Sequence, residues 1–158
     1  MTTAEFYQQK KRYWDNRAAL LDDETTPVYF AARNYLDWID GITDGAPYGY
    51  DEHDLRALSL VWRDSYAATR CRSLYPVLYD CLYQFLLTAF DAVKHQSLPC
   101  VVPINSDDLT EAREQEAFWV SYKEQYDYLK EEIESIEFME KLVDTEDGLK
   151  VDAELVEA

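Results

Sequence analysis

An all-α fold, a single-domain helical bundle of about five helices, is what this sequence predicts, and three observations predict it. Helix breakers are scarce, with 4 glycines and 5 prolines in 158 residues. The stretch Pro76 to Val93 is apolar around most of a helical circumference, its polar side chains Asp80, Gln84, Thr88 and Asp91 falling on one narrow stripe. Ile104 to Asp147 contains neither Gly nor Pro and carries apolar residues at helical spacing. A composition 47% hydrophobic and 15% aromatic excludes a wholly disordered chain and suffices for one buried core. The expected organisation is a helical domain over residues 1–143 and an acidic tail over 144–158.

Thr2 and Glu5 have the spacing of a capping box, which starts a first helix running to about Leu21. Its apolar pairs, Phe6 and Tyr7, Tyr13 and Trp14, Leu20 and Leu21, recur every seven residues and form a seam for one neighbour. Lys10, Lys11, Arg12 and Arg17 read as a solvated basic face beside that seam. Thr26 as N-cap and Pro27 as first residue open a second helix, which Gly41 is expected to end near Asp40. Gly41 to Tyr50 is a Gly- and Pro-rich loop holding Tyr48 and Tyr50. Tyrosines on a loop are candidate partner contacts, although such rings more often fold back on the bundle.

Asp51, Glu52 and Asp54 suit the positive end of a third helix, expected to run unbroken to about Arg70. Arg56, Arg63 and Arg70 are seven apart and share a stripe; they could hold a phosphate, but pairing with carboxylates of the last helix is the simpler expectation. The central apolar helix should cover about 74–95 and be wrapped on most sides. Ser97 to Asn105, with two prolines, is expected to be extended.

The last helix, about 106–142, has two contrasting faces. Trp119, Tyr122, Tyr126, Leu129, Ile133 and Ile136 follow steps of three and four, a heptad seam suited to packing or to oligomerisation. Glu124, Asp127, Glu131 and Glu134 form a second row opposite, with Glu116, Glu137 and Glu140 nearby. The helix would be about 55 Å long, against about 40 Å for a compact globule of this size. It must bend or project, and a projecting seam with Ile133 and Ile136 bare would seek cover.

Charge is concentrated there too. The net charge is −17, and residues 107–158, with 18 acids and 5 bases, contribute −13 of it. Like charges repel, so nucleic acid and anionic membranes are disfavoured as direct partners and a basic protein is favoured. Few lysines interrupt the carboxylate row, whereas stability alone would favour mixed signs. A rod of carboxylates is a rough stand-in for a phosphate backbone.

Three cysteines without CxxC spacing argue against a disulfide framework and for a reducing, cytoplasmic setting. No uninterrupted apolar run approaches a membrane span. Nucleotide, nucleophile-elbow and zinc motifs are missing, and neither His53 nor His95 follows a Glu at the three-residue spacing of di-iron helices. Cys100 and His95 are a nucleophile and base in residue type only. The expectation is therefore no catalysis, no metal and no cofactor. It is an acidic protein that inhibits a basic nucleic-acid-handling protein as a DNA or RNA mimic, of the anti-restriction, anti-CRISPR or nuclease-immunity type. The alternative is a structural or adaptor subunit that forms a homodimer or larger assembly through the Trp119–Ile136 seam.

Overall fold

The computed structural model describes the backbone of residues 2–45, 49–97 and 106–157, and the side chains of 2–45, 49–94 and 113–142. Among these residues there are six α-helices and no strand, one more helix than expected: α1 Thr3–Arg17, α2 Val28–Asp44, α3 Glu52–Arg63, α4 Tyr66–Leu74, α5 Pro76–Ser97 and α6 Ser106–Glu157. A short 3-10 turn, Ala19–Asp22, follows α1.

The start of α1 is set by local chemistry. Thr2 Oγ1 accepts from Glu5 N at 3.1 Å, and Glu5 Oε2 accepts from Thr2 N at 3.2 Å, closing the capping box. The helix lies on α3 by one face, with Trp14 buried while Phe6 and Tyr13 stay exposed. Only half of each apolar pair therefore enters the core. Asp51 caps α3 in the same reciprocal way, its side chain accepting from His53 N and Asp54 N while Asp54 accepts from Asp51 N.

Helix boundaries differ from expectation in several places, two of them with a clear local cause. First, α2 runs through Gly41 and caps on Gly45, whose N–H bonds Gly41 O at 2.9 Å. Ile42 and Thr43 in the added turn are buried at 0% and 2% exposure, and that burial outweighs the roughly 1 kcal/mol a helical glycine costs. Its start also shifts by one residue, with Pro27 rather than Thr26 in the capping position. Second, the expected third helix breaks at Asp64 and Ser65. The buried Ser65 hydroxyl accepts from Ala68 N and donates to Trp62 O, ending α3 and starting α4 with one side chain.

Helix α5 is central, touching α2, α3, α4 and α6. Leu78, Leu82, Phe85, Leu86, Ala89, Ala92 and Val93 are buried. It is less completely wrapped than its composition implied, because Val77, Tyr83 and Leu87 remain exposed beside Asp80, Gln84 and Asp91. At 52 residues α6 is about 78 Å long. Residues 113–117 are exposed, packing begins at Phe118, and Lys141 and Leu142 are exposed again, so the rod outreaches the bundle at both described ends. The backbone is helical on to Glu157, through residues 144–157 of the segment read as an acidic tail; the side chains there lie outside the described residues. No helix among the described residues is long and apolar enough to cross a membrane.

Candidate partner-binding surface

The heptad seam of α6 is used inside the chain. Leu129 and Ile133 are 2% and 0% exposed, Tyr122 is buried, and Trp119, Tyr126 and Ile136 are half-buried against α2 and α5. The expectation that Ile133 and Ile136 project uncovered is thus corrected. The rod does outrun the bundle, but the seam lies over its middle, where α2 and α5 fill the groove. Phe85 packs its ring 5.1 Å from Tyr122 and 6.2 Å from Tyr126. Tyr122 and Tyr126 also carry hydroxyls, which donate to Asp40 at 2.7 Å and Asp37 at 2.9 Å on α2.

Burying the seam orients the opposite face. Glu124, Asp127, Glu131 and Glu134 are all exposed, and none forms an ion pair with a described residue. Glu116 is exposed on the same side of the helix. Glu137 and Glu140 belong elsewhere. Glu137 Oε2 pairs with Arg33 Nη1 of α2 at 2.8 Å and its other oxygen with Lys141 at 2.8 Å. Glu140 accepts a short hydrogen bond from the Tyr75 hydroxyl, whose pKa is pushed up to about 12, first by burial and then by that carboxylate. A helix turns about 100° per residue, so continuing the row past Glu134 by three carries it round to the packed side.

The arginine stripe does not neutralise the acidic face. Arg63 bonds its neighbour Asp64 at 3.1 Å and Arg70 lies over the Tyr66 ring. No ion pair links Arg56, Arg63 or Arg70 to a described residue of α6. The break at Ser65 places Arg70 on a different helix from the other two and so dissolves the stripe.

Sequence reasoning missed two features of this surface. One is a second file of carboxylates on α2, Asp37, Asp40 and Asp44, running beside α6. Its spacing of three and four was legible, but its proximity to α6 was not. Asp40 is held above the ordinary carboxylate range, mainly by burial and against the Tyr122 hydrogen bond, with Asp44 and Asp37 adding repulsion. The other is a set of exposed apolar side chains along α6: Val120 at 53%, Phe138 at 66%, Met139 at 64% and Leu142 at 41%. Helical rotation puts Val120 and Phe138 in line with the acidic row, one before it and one after.

Of the loop tyrosines, Tyr48 lies outside the described residues. Tyr50 folds back. Its ring sits 5.9 Å from Trp14 and occupies the space a side chain on Gly45 would need, a Cβ there falling 2.5 Å from the Tyr50 ring. Its hydroxyl lies 3.5 Å from that of Tyr13. A cleft of about 510 Å³ opens beside it, walled by Phe6, Tyr13 and Tyr50 over Lys10 and Asp54. Those two charges satisfy each other at 2.6 Å and present no free group to a ligand. His53 Nδ1 is buried without a hydrogen-bond partner among the described residues, its ring edge-on to Phe6. No group of three His, Cys, Asp or Glu able to hold a metal occurs among the described residues. Cys100 and the His95 side chain lie outside them.

The chain matches no protein-family model and has no significant match among curated proteins or solved structures.

Proposed function

We propose that the protein is a cytoplasmic, non-enzymatic inhibitor that occupies the phosphate-binding groove of a basic, nucleic-acid-handling protein, presenting Glu124, Asp127, Glu131 and Glu134 in place of phosphates. The observation that carries this reading is that all four carboxylates stand exposed on one unbroken helix and none is held in an ion pair with a described residue. They rise by roughly 5 Å each, against about 3.4 Å for phosphates on one DNA strand, so the match is in charge density and line rather than in register. The α2 carboxylates Asp37, Asp40 and Asp44 add a second line alongside. An anti-restriction, anti-CRISPR or nuclease-immunity role is the kind of biology such a surface serves. Assembly of copies through the Trp119–Ile136 seam would require α6 to leave the bundle it already completes.

The test is capture from lysate on the immobilised full chain at low salt, followed by a salt step and competition with duplex DNA. The reading expects basic nucleic-acid-binding proteins that DNA displaces, with affinity falling steeply between about 50 and 200 mM salt. Capture that is insensitive to salt, or unchanged when the four acids are made Gln and Asn, would overturn it.

A further inference from the structure

A second site lies away from α6, in a partly enclosed cleft of about 200 Å³ between α2, α3 and α5. Its walls are rings: Tyr35, Trp62, Tyr79 and Tyr83 all line it. Tyr35 and Trp62 stack face to face, centroids 4.4 Å apart and planes 5° from parallel, which fixes the floor of the cleft. Tyr35 is 1% exposed and lines this cleft. As a lining residue of the cleft it can offer its hydroxyl to a ligand there. Burial raises its pKa far above the ordinary tyrosine value, so it stays a neutral O–H able both to donate and to accept.

Arg63 lines the same cleft, its side chain 62% exposed. A guanidinium has five N–H donors, and the bond to Asp64 uses the one on Nε. The terminal nitrogens keep a planar fork of the shape that grips carboxylates. Arg56, seven residues earlier on the same face of α3, forms no ion pair with a described residue and adds positive charge. In a chain of net charge −17 this is a local reversal of sign beside an aromatic slot.

We propose that this cleft binds a small planar aromatic acid, with the ring between the Tyr35–Trp62 stack and the tyrosines of α5, a polar ring substituent at the Tyr35 hydroxyl, and the carboxylate at the Arg63 guanidinium. The volume accommodates one six-membered ring with short substituents and falls below the roughly 300 Å³ at which drug-sized or nucleotide ligands begin to fit. The site is independent of the acidic face of α6.

The experiment is titration of the full chain with 4-hydroxyphenylacetate, phenylacetate, phenol and acetate, following the Trp62 indole N–H resonance. A saturable shift with 4-hydroxyphenylacetate at a Kd of about 1 mM or below, and none with acetate, is expected. Arg63→Gln, at an exposed position, should weaken the acid about ten-fold and leave phenol unchanged. Tyr35→Phe should abolish the preference for 4-hydroxyphenylacetate over phenylacetate. Absence of a saturable shift at about 10 mM acid, or an Arg63→Gln variant that binds the acid as well as the parent does, would sink the proposal.

Discussion

The Lys10 ammonium lies 2.6 Å from Asp54 Oδ2, across 44 residues of sequence, while Trp14 Nε1 donates to Asp54 Oδ1 at 3.0 Å. Three kinds of donor, from α1 and from the start of α3, converge on one carboxylate that is 2% exposed, because Asp51 N also bonds it. This arrangement docks α1. It also takes Lys10 out of the solvated basic face expected of it: the ammonium reaches inward and passes over the Phe6 ring at 4.8 Å.

Replacing Asp54 by Ala leaves the Trp14 N–H and the Asp51 N–H without their acceptor and Lys10 with only its longer 3.6 Å contact to Asp51. A loss of about 3–5 kcal/mol in unfolding free energy is expected, read by urea denaturation. Asp54→Asn keeps an acceptor for the neutral donors and should cost clearly less. Equal losses for the two variants would mean that the charge is not what holds α1.

Neutralising Glu124, Asp127, Glu131 and Glu134 to Gln and Asn should not destabilise the fold. Like charges one turn apart repel by a few tenths of a kcal/mol each, so the quadruple variant is expected to be as stable as the parent or up to about 1 kcal/mol more stable. A calorimetric Tm that falls by several degrees would show the row to be structural.

Ile133→Lys is expected to unfold the single chain rather than split an assembly. Ile133 is completely buried, and an unpaired ammonium there costs several kcal/mol. Circular dichroism should show lost helicity at all protein concentrations. Retained helicity with a change only in sedimentation would instead place the seam between copies.

Asp40 makes a pH-dependent prediction. Its folded pKa is raised, chiefly by burial, so the folded state binds the proton more tightly than the unfolded state does. The penalty for ionising it is fully present above the folded pKa and fades as pH falls through that value toward the ordinary one. Asp40→Asn, which preserves an acceptor for Tyr122, should therefore stabilise the protein at neutral pH, with the gain shrinking in acid. Denaturant midpoints measured from neutral pH down to about 4 check the sign.

Much of this architecture was legible in the residues. The Thr2–Glu5 capping box, the apolar character of α5 and the steps of three and four from Trp119 to Ile136 each express local geometry, and each is present in the fold. The misses share a cause. Gly41 does not end α2, because Ile42 and Thr43 find a core to enter. Ser65 interrupts what looked like one helix, because its hydroxyl is buried where it can bond both ends. Val77 and Leu87 look like core residues and are exposed, because four neighbouring helices do not close around α5. Asp37 and Asp40 were unremarkable acids on a short helix until Tyr122 and Tyr126 drew them beside α6.

By itself the sequence determined that the chain is helical, that α5 lies inside, and that the last helix carries an apolar seam opposite a file of acids. Periodicity is a property of one element, and the backbone imposes it locally. Only the tertiary structure decided that the seam closes the protein's own core, that Glu137 and Glu140 turn inward to Arg33 and Tyr75, and that Arg63 of α3 is left to line another cleft. Those outcomes depend on which surfaces meet, and the pairing of surfaces is written in no single helix.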